Sequence, residues 1–331
     1  MSNDPSRADP DAVKRELLAL LSQEAPTTSD DAATNPFHAS LVRLYSPTSS
    51  KKRPFFCVHP GSGAVGCFLE IAPLIDPDRP FIAVQAPGID GEREPFQDLV
   101  ALARGYVSEL RRVQPDGPYL LGGWSLGGTV AFQMAHELRK QGEEVDLLVL
   151  IDTLRADTLH DVPFSREIAV EISFRHNALA VEHLARQRGV TLDRDVVFQR
   201  FVRERPGSMR ARLALMLNLL VENGVFHDAN APMFRVFRAN LLALSDYGMP
   251  VELYDRTLTL FRCENDALGP EYAKVDATYH WARSTATPVE VVTVPSHHFG
   301  LFHGEGLRNT AENLRRCLDR VDPQQNESAH A

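Results

Sequence analysis

The run Tyr119-Leu120-Leu121-Gly122-Gly123-Trp124-Ser125-Leu126-Gly127-Gly128-Thr129-Val130-Ala131 limits what this chain can become more than any other stretch. Pro118 to Leu121 reads as a buried strand. From Thr129 to Lys140, Val130, Met134 and Leu138 recur at helical spacing. Between the two lies Gly123-x-Ser125-x-Gly127, the pattern of a nucleophile elbow. A strand that turns straight into a helix holds its tip residue in a strained backbone conformation and pushes the hydroxyl outward. The flanking positions must lack side chains, because strand and helix approach closely there. The Leu126 N–H sits beside the serine at a helix N-terminus, where unpaired donors favour negative charge. One turn thus supplies a nucleophile and half of an oxyanion hole.

Gly-Gly-x-Ser-Leu also occurs where a carrier protein's serine takes phosphopantetheine. A carrier serine, however, follows a loop in a small helical domain. Here an apolar strand precedes Ser125 and Gly127-Gly128 follows it.

The surrounding pattern is α/β. Phe55 to His59, Phe81 to Gln85, Pro118 to Leu121 and Val145 to Ile151 are almost wholly apolar, and helical segments alternate with them, among them Leu99 to Val113. Strands that are hydrophobic on both faces imply a mostly parallel sheet covered by helices on each side. With the elbow, this predicts an α/β-hydrolase fold. Leu41 to Tyr45 is expected to be an edge strand, and Gly66 to about Ile75 a helix. From Leu154 to Asp255 the periodicity turns helical, as in Ile168 to Ala185, Arg210 to Val221 and Met233 to Leu244. Strands resume at Thr257 to Cys263 and Val289 to Val294, so the helical stretch is an insertion into the sheet and reads as a lid.

The expected organisation is therefore an extension over 1–50, a core over 51–153 and 256–321, a helical lid over 154–255, and a disordered tail over 322–331. The extension carries one helix, Asp11 to Ser22, and a polar linker from Pro26 to Asn35.

Several functions are disfavoured. A formal charge of −9 lacks the basic face that general nucleic-acid binding needs. No apolar run approaches the ~18 residues of a membrane span, and the N-terminus lacks a signal core. Cys57, Cys67, Cys263 and Cys317 are scattered and read as reduced thiols, which suits a cytoplasmic setting. Gly61-x-Gly63-x-x-Gly66 matches the dinucleotide fingerprint, but Gln85 stands where an acidic ribose ligand is needed. A flexible glycine loop after the first central strand better supplies a second oxyanion N–H, from Gly61.

A serine needs a base, and the base an acid to fix its tautomer. The order serine, acid, histidine excludes His38 and His59 as the base, and His136 sits inside the helix after the elbow. His297, His298 and His303 remain. Val294-Pro295-Ser296-His297-His298-Phe299 leaves a strand and turns, and favours His298 over its neighbour, with His303 at a helix start. A metal site on these histidines lacks an accompanying carboxylate cluster. Asp152 and Asp266 each follow a strand, and spacing does not choose between them. Asp246 and Asp255 read as surface or turn carboxylates.

Over about residues 40 to 320 the chain resembles the C-terminal thioesterase domains of nonribosomal peptide synthetases and modular polyketide synthases. The markers are Phe56-Cys57-Val58-His59-Pro60-Gly61, Gln85-Ala86-Pro87-Gly88, Gln114-Pro115-x-Gly117-Pro118-Tyr119, Leu121 to Gly128, Leu150-Ile151-Asp152, Tyr247, Trp281 and Pro295-x-x-His298-Phe299. The resemblance assigns the acid to Asp152 and the base to His298, although Ser296-His297 stands where the family often has Gly-Asp. It implies an acyl or peptidyl substrate held as a thioester on the phosphopantetheine of a carrier protein, with no cofactor of the enzyme's own. Release is by hydrolysis or cyclisation; transfer to a separate alcohol or amine, or general ester hydrolysis, are the alternatives. No carrier-like segment lies N-terminal, so the expectation is a free-standing enzyme or an excised terminal domain. Docking to an acidic carrier would use Arg200, Arg203, Arg205, Arg210 and Arg212, or the helix at 11–22.

Overall fold

The computed structural model describes residues 35–48, 50–157, 178, 181–182, 185–186, 189–207, 209–224, 232–264 and 276–322. Seven strands form one sheet: β1 (Leu41–Tyr45), β2 (Phe55–Val58), β3 (Phe81–Val84), β4 (Tyr119–Trp124), β5 (Val145–Ile151), β6 (Leu258–Cys263) and β7 (Glu290–Val294), in the order β1-β3-β2-β4-β5-β6-β7. Every neighbouring pair is parallel except β1 against β3. The named helices are α1 (Ala72–Ile75), α2 (Leu99–Val113), α3 (Leu126–Lys140), α4 (Arg194–Glu204), α5 (Met209–Glu222), α6 (Pro232–Asp246) and α7 (Gly304–Val321).

Alternation along the strands sorts the core into two layers. Phe56, Val58, Leu121, Leu148 and Leu260 point to the side covered by α2 and α3. Phe55, Cys57, Leu120, Val149 and Phe261 point to the side covered by α1 and α7. This is why β2 to β5 carry almost no polar residue: neither face meets water. On α2, Leu99, Leu102, Ala103, Tyr106, Val107 and Leu110 make the buried stripe, and Asp98 caps the helix by accepting from the Ala101 N–H at 2.7 Å. Helices α4 to α6 enclose a third cluster around Phe201, Leu215, Met216, Leu220, Phe234 and Phe237. They lie in sequence between β5 and β6, which are adjacent in the sheet.

Three boundaries differ from expectation. Residues from 35 onward belong to the body rather than to an extension: β1 is hydrogen-bonded to β3, and Phe37 packs on Phe96 and Tyr106 at ring distances of 4.5 and 5.7 Å. Phe37 fits there because Gly105 has no Cβ, which would stand 1.9 Å from its ring. The helix expected from Gly66 is broken into a 3-10 turn at Gly66–Phe68 and the single turn of α1, which has a proline at its start. At the other end Asp322 is no part of a loose tail. It caps α7 and pairs with Arg53 at 2.7 Å and Arg79 at 3.0 Å. The helix at 11–22, the linker, most of Ile168 to Ala185 and residues 323–331 lie outside the described residues. Helix α4 falls within the stretch read as helical but was not among the segments singled out there. Only Val197 and Phe201 are buried on it, too few to make a visible stripe.

Candidate active site

The connections after β2 and β4 leave the sheet in opposite directions, β2 toward β3 and β4 toward β5. Such a switch point opens a crevice beyond the carboxyl ends of the strands, and the glycine loop and the elbow both lie there. Ser125 has φ 58 and ψ −124, far from the conformations an L-residue prefers. The strain is held by bonds on both sides. The Ser125 N–H donates to Ile151 O at 3.0 Å, and its carbonyl accepts from the Gly128 N–H and from Thr153 Oγ1, each at 3.0 Å.

The glycines of the elbow are dictated by contact. A Cβ on Gly123 would lie 2.1 Å from Gly127 O, and one on Gly128 would lie 2.1 Å from Thr153 Oγ1. On Gly127 it would lie 2.3 Å from Val58 O and 2.4 Å from His59 O. The first turn of α3 therefore rests directly on the end of β2, which brings the loop His59 to Gly63 beside the elbow.

Asp152 follows β5 and also has positive φ, 44°, a conformation aspartate tolerates better than most residues. Its N–H donates to Phe261 O at 2.7 Å. Its carboxylate Oδ2 accepts from His298 Nδ1 at 2.7 Å, and Oδ1 accepts from the Cys263 N–H at 3.1 Å and from the Tyr279 hydroxyl at 3.3 Å. Burial pushes the Asp152 carboxyl up, but the His298 hydrogen bond and charge and the Cys263 N–H outweigh it and leave it below its ordinary value. Because an ionised carboxylate only accepts, His298 carries its proton on Nδ1 and leaves Nε2 as the acceptor.

His298 begins a short 3-10 turn after β7. Its ring lies 5.3 Å from the indole of Trp124, the residue before Ser125, and 4.9 Å from Phe299. His297 faces solvent, and exposed His303 precedes α7 as its N-cap. Asp266 lies outside the described residues. Asp255 pairs with Arg139 on the surface, and Asp246 is an exposed residue at the end of α6.

His59 is fully buried. Its Nδ1 donates to Pro60 O at 2.7 Å, and Nε2 accepts from the Tyr106 hydroxyl at 2.8 Å. Burial lowers its pKa to about 4, so it is a neutral structural brace for the loop. Next to it, the N–H groups of Gly61 and Leu126 donate to no backbone carbonyl among the described residues. Among the described residues no group of three His, Cys, Asp or Glu side chains is placed to hold a metal. None of the four cysteines forms a disulfide, and Cys57, Cys263 and Cys317 are buried. No helix among the described residues is long and apolar enough to cross a membrane.

Three participants were given no role in the sequence reading. Tyr279 and the Cys263 N–H reach Asp152 from chain segments more than a hundred residues away. Trp281, noted only as a marker, donates from Nε1 to Thr153 O at 2.7 Å and so pins the segment next to Asp152.

A mostly parallel seven-stranded sheet, a strained serine between β4 and α3, and an acid and histidine after later strands define an α/β-hydrolase. The model of the thioesterase domain family matches residues 53–318, and the chain belongs to that family. A dimodular nonribosomal peptide synthase of Bacillus subtilis is 47% identical over 133 residues, 39% of this chain and 6% of the synthase. Malpibaldin synthetase of Mortierella alpina is 42% identical over 106 residues, 32% of this chain and 2% of the synthetase. The chain thus spans only a small part of the curated relatives it matches. Among solved structures, the thioesterase domain of Vlm2 bound with a dodecadepsipeptide superposes with a TM-score of 0.55 at 21% identity, covering 85% of this chain and 97% of that domain. The thioesterase domain of NocB gives 0.53 at 24% identity, covering 81% and 96%. At these identities the superpositions speak for the fold.

Proposed function

We propose that this chain is a carrier-linked thioesterase that takes an acyl or peptidyl chain from a phosphopantetheine thioester onto Ser125. Release then follows by hydrolysis or by attack of a hydroxyl or amine on the chain itself. The observation that carries the proposal is the 2.7 Å bond between His298 Nδ1 and Asp152, which leaves Nε2 basic in the same corner as a strained elbow serine.

In this scheme Ser125 Oγ attacks the thioester carbonyl and its proton passes to His298 Nε2. Asp152 steadies the resulting imidazolium through Nδ1–H. The tetrahedral oxyanion takes hydrogen bonds from the Gly61 and Leu126 N–H groups, an arrangement worth about 10²–10³ in rate per donor. Collapse breaks the C–S bond, and the departing thiolate takes the proton from Nε2. In the second half His298 removes a proton from water or from the internal nucleophile. Collapse then breaks the ester bond and returns that proton to Ser125 Oγ. Helices α4 to α6 act as a lid, and their position over the acyl chain would govern whether water or the chain's own nucleophile arrives. The thiol of phosphopantetheine belongs to the substrate. Four cysteines with no disulfide among them are compatible with a reducing compartment.

Intact-protein mass spectrometry after incubation with acyl-pantetheine thioesters of varied chain tests this. Wild-type protein should gain the acyl mass and lose it with time, and Ser125→Ala should gain none. Turnover by Ser125→Ala at the wild-type rate refutes the proposal. Formation of an ester or amide with an added alcohol or amine, in place of acid or ring, would reassign the enzyme as an acyltransferase on the same residues.

A further inference from the structure

The loop Pro60 to Gly63 is tied down at nearly every carbonyl. Pro60 O accepts from the Gly63 N–H at 2.9 Å and from His59 Nδ1 at 2.7 Å, and Gly63 O accepts from the Ala86 N–H at 3.0 Å. The Gly61 carbonyl is different. It is held from outside the sheet, by Asn240 Nδ2 of α6 at 3.1 Å. Asn240 is 3% exposed, a buried amide on a helix whose other inward positions are apolar. A buried side-chain donor of this kind is costly to leave unmatched, and here its partner is the one residue of the loop that is both a glycine and a proposed oxyanion donor.

The rest of α6 presses on the same loop. A Cβ on Gly61 would touch the ring of Phe237 at 3.5 Å, and one on Gly63 would stand 2.3 Å from Val236 Cγ1. Val236, Asn240 and Ala243 share one face of α6 by their spacing, whereas Phe234 and Phe237 also belong to the cluster that α4 and α5 build. Arg235 pairs with Glu94 in the loop after β3. One helix therefore joins the inserted segment to the glycine loop, and a single polar contact fixes the freest peptide in it.

We propose that Asn240 is a positioning residue: it holds the carbonyl side of Gly61, as the bonds to Pro60 O hold its amide side, and so keeps the Gly61 N–H in place for the developing oxyanion. This rests on Gly61 being an oxyanion donor, as proposed above. Without its carbonyl anchor Gly61 is held only on its amide side, through Pro60 O, and its Cα can shift and carry the Gly61 N–H away from the point where it converges with that of Leu126. A misplacement of about 1 Å in such a group costs on the order of 10²-fold in rate.

The test compares Asn240→Asp, which replaces the donor by an acceptor of equal size, and Asn240→Ser, which shortens it, with Ala239→Gly, which loosens the same helix without touching Gly61. Acyl-pantetheine turnover, the rate of fluorophosphonate labelling at Ser125 and thermal melting are measured on each full-length protein. Asn240→Asp should lose about 10²-fold in kcat and in labelling rate, with KM within about twofold of wild type. Asn240→Ser should fall in between, and it carries the test alone if the aspartate variant does not fold. Ala239→Gly should melt lower yet keep its kcat. Wild-type kcat in both Asn240 variants, or an equal fall in Ala239→Gly, overturns the assignment while the triad stands. Absence of labelling in wild-type protein would instead remove the proposed function, and this inference with it.

Discussion

Replacing Asp152 by asparagine tests the acid with little change of shape. The two bonds to Oδ1, from the Cys263 N–H at 3.1 Å and the Tyr279 hydroxyl at 3.3 Å, both come from donors. They hold the asparagine oxygen in that place and leave its NH₂ where Oδ2 now accepts from His298 Nδ1 at 2.7 Å. Two donors cannot face each other at that distance, so His298 must shift its proton to Nε2. Nδ1 then accepts from the amide, and Nε2–H can no longer take the proton of Ser125. Loss of the correct tautomer at intact geometry costs about 10⁴ in kcat in a serine triad. That is about 5.5 kcal/mol of transition-state stabilisation. Stability should change far less, because one charge-assisted hydrogen bond is replaced by a neutral one, a difference of about 1 kcal/mol. Steady-state kinetics on an acyl-pantetheine substrate measure the first quantity, and thermal melting bounds the second. Fluorophosphonate labelling of Ser125 should slow in parallel with kcat. If Asp152→Asn keeps its kcat within about tenfold of wild type while Asp266→Asn loses it, the acid has been misassigned and the 2.7 Å bond is structural.

Two further outcomes follow from the geometry. His59 titrates at about 4 in the folded protein and near 6.5 when unfolded, so its contribution to stability is whole above pH 6.5 and is lost as pH falls toward 4. The loss amounts to about 3 kcal/mol. Denaturant melts from pH 7 to 4 should show this slope, and His59→Gln should flatten it; an unchanged slope would show that other groups carry it. Gly127→Ala places a methyl 2.3 Å from Val58 O, where only backbone can yield. It should cost about 3 kcal/mol, at the upper end of overpacking, and reduce fluorophosphonate labelling, since it pries the elbow from the glycine loop. Melting at the wild-type temperature would contradict the packing described.

The chain's local chemistry determined the elbow and the strands around it. Gly123, Ser125 and Gly127 are dictated by backbone contacts within a few residues or by the strand next door, so their spacing announces the turn wherever it occurs. Continuous apolar runs likewise announce strands buried on both faces: β2, β3 and β5 fall within a residue of where they were read, and β4 runs on past Leu121 to Trp124. Three things lay beyond the sequence. The body extends back to residue 35 because Phe37 finds a pocket made by Gly105, a partner far along the chain. Asp322 is held because Arg53 and Arg79 reach it from the opposite end of the fold. Spacing left Asp152 and Asp266 equivalent and only the resemblance chose between them; the contact itself, the end of β5 within a 2.7 Å bond of the turn after β7, comes from the sheet order. Asn240 belongs with these: nothing near it in sequence marks it, and its meaning comes from a carbonyl 179 residues away. Backbone sterics act between neighbours and are written in the residues themselves. Hydrogen bonds and ion pairs across the fold exist only once packing has chosen which distant segments meet.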